Sequence, residues 1–174
     1  MIIRYPQEKE KLALLKAGDI VEFEGVIYTA RDAAHKRIQE YLEQGKELPV
    51  DFKDSFIYYA GPTPTKPGKV IGSIGPTTSS RMDPYADMMN TLGVVATIGK
   101  GPRSNECTKK YIDHHLLYFV TTGGCGALLS KAVQEAEEIA FLDLGPESIK
   151  RLYVKNFKMI VAIDYEGNNL FKGR

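Results

Sequence analysis

Val94-Val-Ala-Thr-Ile-Gly-Lys-Gly-Pro-Arg-Ser-Asn-Glu-Cys-Thr-Lys-Lys-Tyr-Ile-Asp-His-His-Leu-Leu-Tyr-Phe-Val120 decides the fold. Val94–Ile98 is a short apolar run rich in β-branched residues, and it reads as a buried strand. Gly99-Lys100-Gly101-Pro102 breaks it, and Ser104 then caps a helix that runs to about His115. Leu116–Val120 is a second strand. Strand, turn, helix and strand in that order are the working unit of an α/β domain.

The same alternation extends in both directions. Upstream, Phe56–Ala60 and Val70–Ile74 read as strands around the proline-rich loop Gly61–Gly68, and a helix is expected from about Arg81 to Leu92. Further upstream, Asp19–Glu24 alternates apolar and polar side chains, Gly25 turns the chain, and Val26–Tyr28 is a second short strand. Thr29 is placed to cap the next helix, with Asp32 as its acidic capping-box partner and Ala33, Ala34, Ile38, Tyr41 and Leu42 as the apolar stripe. Residues 1–18 form a polar, partly helical entry. Downstream, Thr121–Gly126 is a glycine-rich turn before a helix expected from about Ala127 to Glu138, followed by short strands at Ile139–Leu142, Leu152–Val154 and Met159–Ile163. The hairpin-like strands at both ends argue against a purely parallel sheet. The expected architecture is α/β, with mixed sheet layers flanked by helices, in a single domain over residues 1–174.

The 174 residues suffice for a sizeable core. A formal net charge of +1 points to neither nucleic acid nor an acidic membrane surface. No apolar run approaches the about 18–20 residues that span a bilayer. The start lacks a secretory signal, so the expected compartment is the cytoplasm. Cys107 and Cys125 form no Cys-x-x-Cys pair, and His35, His114 and His115 stand at no zinc spacing to them. No metal site is expected in this chain, and Cys125 reads as a small packed thiol.

Three loops place cations or hydroxyls beside flexible backbone at strand-to-helix junctions. In the first, Arg31 lies in the first turn of a helix, where a cation is disfavoured unless solvated or recruited by an anion, and His35 lies one turn on. The bland alternative is a surface Arg and a half-buried His. The second, Gly75-Pro-Thr77-Thr78-Ser79-Ser80-Arg81-Met-Asp83, gathers four hydroxyls and an Arg at a helix start, where free N–H groups favour an anion. Ser80 and Asp83 have capping-box spacing, so a merely well-capped helix competes with this reading. In the third, glycines flank Lys100 and permit close backbone approach to a ligand, although the P-loop pattern is absent. Taken alone, it is a plain turn.

Together these loops resemble the β subunit of the class I fumarase and L-tartrate dehydratase family. The resemblance rests on Gly18-Asp19, Gly25, Tyr28-Thr-Ala-Arg-Asp-Ala-Ala-His35, Ala60-Gly-Pro-Thr-Pro64, Gly75-Pro-Thr-Thr78 with Arg81-Met-Asp83, Gly99-Lys-Gly101 and Gly123-Gly124, in the family's order from about residue 17 to 170. It implies a swivelling β/β/α fold, which is the C-terminal domain of single-chain relatives and a separate subunit in split ones. A chain that starts at Met1 is expected to be the split form.

The resemblance further implies a [4Fe–4S] cluster held by three cysteines, with one iron open to substrate. Two cysteines cannot supply three ligands, so the cluster is expected on a partner α subunit, in an α₂β₂ complex, and none on this chain alone. The implied reaction is the reversible hydration of fumarate to (S)-malate, a step of the tricarboxylic acid cycle. Its alternative is dehydration of L-tartrate to oxaloacetate. By resemblance, Arg31, Arg81 and Lys100 bind and polarise the dicarboxylate, Thr77 is the base, and Thr78 bonds a carboxylate or caps the helix. Two readings of other kinds compete: a stand-alone dicarboxylate-binding module and a purely structural subunit.

Overall fold

A computed structural model describes residues 1–172. The fold is α/β with a mixed sheet flanked by helices, as expected, and the sheet closes on itself. Its strands are β1 (Ile2–Arg4), β2 (Ile20–Thr29), β3 (Phe56–Tyr58), β4 (Ala96–Gly99), β5 (Leu117–Val120), β6 (Val133–Ala140) and β7 (Ile149–Ile163). β2, β3, β4 and β5 run parallel in sequence order. β7 runs antiparallel to both β5 and β2, which closes a five-stranded barrel. β1 extends β2 in parallel, and β6 pairs antiparallel with β7.

Alternation along the strands sends side chains to two separate cores. Phe56 and Tyr58 join Phe23, Ile98, Phe119 and Phe157 in one. Ile57, Tyr59 and Tyr118 join the other, beneath the helices α1 (Asp32–Glu43), α2 (Ala86–Thr91) and α3 (Asn105–Asp113). Burying a Phe or Tyr contributes about 1.5–3 kcal/mol, so the fully buried aromatic residues of both faces anchor the barrel.

Several expectations are corrected by pairing. β2 is one strand of ten residues, with every second side chain buried. Gly25 does not turn the chain. It sits at a register shift between Phe23 and Gly25, at φ +155°, where a Cβ would stand 2.6 Å from the Tyr5 carbonyl oxygen. The separate strands expected at 152–154 and 159–163 are one strand of 15 residues, because β7 serves β2 along one edge and β6 then β5 along the other. The helix expected over 127–138 shrinks to α4 (Gly126–Leu129). Its Ala- and Glu-rich remainder becomes β6, since β7 offers an unpaired edge and that pairing overrides helix propensity.

Val70–Ile74 forms no strand; this segment packs as loop, with the Thr63 N–H on the Ser73 carbonyl and the Ile74 N–H on the Gly126 carbonyl. The helix expected at 81–92 divides into a 3₁₀ turn (Ser79–Tyr85) and α2, because Pro84 lacks the N–H that the ladder needs. Ser104 does cap α3, accepting the Cys107 N–H at 3.1 Å.

Candidate active site

The parallel strands β2, β3, β4 and β5 all point one way, so the loops after them gather at one end of the barrel. Arg31 follows β2, Thr77 to Arg81 follow β3, Lys100 follows β4, and the Gly123-Gly124 turn follows β5. In parallel α/β folds, the carboxyl ends of the strands are where ligands bind.

Backbone ties hold these loops in register. The Thr77 N–H donates to the Tyr59 carbonyl at 2.7 Å, and Thr78 bridges Lys100 in parallel. Ser79 is buried; its N–H donates to the Lys100 carbonyl at 3.0 Å, and its Oγ accepts the Lys100 N–H at 3.0 Å. That staple requires Gly99, where a Cβ would lie 1.9 Å from Ser79 Oγ and 3.0 Å from Tyr59 Cδ2. Sequence reasoning counted Ser79 only among the hydroxyls of the loop. Thr78 is exposed and makes no side-chain cap bond, and Ser80 caps nothing either, because the 3₁₀ turn begins at Ser79.

The structure links Arg31 to Arg81 through Asp32, and Arg81 to Thr77, and places the Lys100 backbone beside Thr78 and Ser79. Arg81 donates from Nη1 to Thr77 Oγ1 at 3.3 Å. It also grips Asp32 with two bonds, Nε to Oδ1 and Nη2 to Oδ2, each 2.8 Å. Arg31 Nε lies 3.3 Å from Asp32 Oδ2 and 3.2 Å from Glu147 Oε1. Lys100 has no ion pair among the described residues, and its chain passes along the open face of Gly123.

Asp32 therefore does not act as a capping-box partner. Thr29 lies buried inside β2, where its Oγ1 accepts the Lys150 N–H at 3.1 Å, and α1 starts without a side-chain cap. Burial alone would raise the Asp32 carboxyl pKa. Its own backbone N–H, Arg81 and Arg31 outweigh that and hold it below the usual carboxylate value.

His35 is fully buried, not half-buried. Its Nδ1 lies 2.9 Å from the Arg31 carbonyl, which also accepts the His35 N–H. Because a carbonyl only accepts, Nδ1 carries the proton, and Nε2 is left buried without a partner. Burial first, and the Arg103 charge with it, lower the His35 pKa to about 4. This residue is a neutral brace on the backbone of Arg31.

A second brace lies beneath the Arg81 and Lys100 loops, and its signal in sequence was only an Arg beside a cap. The buried Arg103 donates from Nε to Asp83 Oδ1 at 2.5 Å and from Nη1 to Tyr111 Oη at 3.0 Å, and it packs over the rings of Tyr59, Tyr111 and Tyr118. Asp83 Oδ2 accepts the Ser104 N–H at 2.8 Å. Asp83 belongs to the turn that carries Arg81, so Arg103 ties that turn to the Lys100 loop.

The arrangement can receive carboxylates. Arg81 and Lys100 are exposed, and neither lines any of four clefts on the surface. A family model described as the fumarase C-terminus matches residues 2–174. The chain belongs to this family.

Among similar members of the fumarase C-terminus family is a Methanocaldococcus jannaschii protein provisionally named L(+)-tartrate dehydratase subunit beta. It is 42% identical over 94% of this chain and 87% of its own length. Fumarate hydratase 2 of Leishmania major is 36% identical over 94% of this chain, and the anaerobic class I fumarate hydratase of Escherichia coli is 37% identical over the same share. The chain spans only 29% and 31% of the lengths of these two fumarate hydratases. No helix among the described residues is long and apolar enough to cross a membrane.

An iron–sulfur cluster does not fit the donors of this chain. A cluster held by three cysteines needs one more than the two present, and of these Cys107 is buried in the core while Cys125 is only part-exposed. Among the described residues, no group of three or more His, Cys, Asp or Glu is placed to hold a metal ion.

Proposed function

We propose that this chain, as one β-type domain, is the β subunit of a two-subunit hydro-lyase that reversibly hydrates fumarate to (S)-malate with a cluster-bearing α subunit, in an α₂β₂ complex. The observation that carries this reading is the hydrogen bond from Arg81 to Thr77, with the loops that carry Arg31 and Lys100 at the same carboxyl ends of the parallel strands. The family membership and the names of the relatives support it.

The chemistry follows from these side chains. Removing the proton next to a carboxylate builds negative charge on that carboxylate. Cations fixed where the charge develops stabilise it without reorganising. Arg31 and Arg81 offer carboxylate oxygens the guanidinium N–H groups that Asp32, Glu147 and Thr77 leave free, and Lys100 adds a point charge. Thr77 is the base: its Oγ1 already accepts a hydrogen bond from Arg81 Nη1, which favours the deprotonated oxygen. Thr78 lies exposed next to it as a further carboxylate contact. The [4Fe–4S] cluster belongs to the partner's half of the site.

The relative named a tartrate dehydratase subunit favours a second reading, with L-tartrate as substrate. Anaerobic assays of fumarate hydration by this chain alone, and then with a cluster-bearing α chain after cluster reconstitution, test the proposal. Activity only in the mixture is expected, and tartrate in the same assay decides between substrates. An assembled, cluster-loaded complex inactive on both refutes it.

A further inference from the structure

Asp32 sets a carboxylate among the cations expected to attract a dicarboxylate. Its negative charge opposes binding of a dianion, so attraction of substrate does not account for it. Helix capping does not either, since α1 has no side-chain cap. What Asp32 does is grip. It occupies the Nε and Nη2 edge of Arg81 with two 2.8 Å bonds, and the same carboxylate reaches Arg31 Nε at 3.3 Å. A guanidinium is planar and rigid, so fixing one edge fixes the direction of the other donors. The donor left over, Nη1, is the one that meets Thr77 Oγ1. The grip itself is well supported. Asp32 begins α1, where the helix dipole favours a carboxylate, and the Arg31 backbone that precedes it is held by the buried His35.

We propose that Asp32 is the positioning residue of the site: it aims Arg81 Nη1 at the Thr77 hydroxyl and sets the spacing between the Arg81 and Arg31 guanidinium groups. This rests on the proposed hydro-lyase reading for its kinetic consequence, but the Asp32–Arg81 coupling itself does not.

The test substitutes Asp32→Asn, which keeps size and removes charge. In the assembled, cluster-loaded enzyme, kcat is expected to fall by about 100-fold, the scale of a roughly 1 Å misplacement of a catalytic group, while KM does not rise, because a repelling carboxylate has gone. A merely structural role predicts a lower melting temperature with the kcat of the folded enzyme intact. A purely repulsive role predicts a lower KM with kcat unchanged. Either result overturns the proposal.

A second readout needs neither partner nor substrate. In proton–nitrogen spectra of the full chain, the Arg81 Nε–H signal, assigned by its loss in Arg81→Lys, is expected to shift and to exchange faster with water in Asp32→Asn. An unmoved signal overturns the proposal even where the enzyme is active. A moved signal with an assembled wild type inactive on fumarate and tartrate supports the Asp32–Arg81 coupling and refutes the hydro-lyase reading instead.

Discussion

Protonating His35 should loosen the fold, and its size follows from the site of the proton. Nδ1 is committed to the Arg31 carbonyl, so a second proton must enter at Nε2, which is buried without an acceptor. The pKa falls from 6.5 to about 4, with burial as the leading cause and the nearby Arg103 charge adding to it. In the unfolded chain His35 takes up its proton near 6.5, while the folded protein resists until about 4. Between those values the unfolded state binds more protons, so stability is fully present above pH 6.5 and is lost progressively as the pH falls toward 4. A shift of this size corresponds to about 3 kcal/mol at about 1.36 kcal/mol per unit. Urea unfolding of the wild type and of His35→Asn, at steps from pH 7 to pH 4, isolates this contribution because every other titrating group is shared. The stability difference between them is expected to move by about 3 kcal/mol against the wild type across that range. A gap that stays constant within about 0.5 kcal/mol would mean that His35 titrates alike in both states, and the burial argument would be refuted.

Arg103→Ala strands the Asp83 carboxylate and empties the space over three tyrosine rings, so denaturant unfolding should report a loss of about 3–5 kcal/mol, and a loss below about 1 would contradict the brace. Gly99→Ala forces a methyl group against Ser79 Oγ and the Tyr59 ring, for an expected cost of about 1–3 kcal/mol in the same assay and a fall in activity as the Lys100 loop shifts. Arg81→Ala in the assembled complex should lower kcat by about 100-fold or more while gel filtration shows an unchanged complex; near-normal turnover removes Arg81 from the chemistry.

The candidate site was legible in sequence only as far as residue type and position at strand ends. Arg31, Thr77, Arg81 and Lys100 stood out by their place in loops that together resemble one family, and the structure sets those loops at one end of the barrel. Their supports were not legible, because support depends on distance and not on type. Asp32 reads as a capping residue until Arg81, far along the chain, is seen to close on it. Arg103 shows in sequence only as an Arg beside a cap, and its role emerges where three tyrosines from different elements enclose it.

The fold divides in the same way. Local pattern revealed β4, α3 with its Ser104 cap, and β5. Barrel closure was hidden, since it arises from β7 reaching both β2 and β5, and a sequence names no partner for a strand. The segment Val133–Ala140 shows the cost of reading locally: its Ala and Glu favour a helix, yet an open β7 edge leaves backbone groups that only a strand satisfies.

Charge at the strand ends bears on the proposed division of labour. Arg31, Arg81 and Lys100 supply three positive charges and Asp32 and Glu147 two negative ones, which leaves a net charge of one for the proposed dicarboxylate, which carries two. The surplus negative charge grows further on one carboxylate as the proton leaves. Water screens an open surface, and Arg81 and Lys100 are exposed to it, so these cations act weakly until something covers them. A second protein surface closing over this end would remove water and strengthen every fixed charge at once, and a cation carried on that surface would balance the substrate. The proposed two-subunit reading thus calls for a site completed from outside, with Asp32, as proposed, keeping two guanidinium groups aligned until closure makes their charge count.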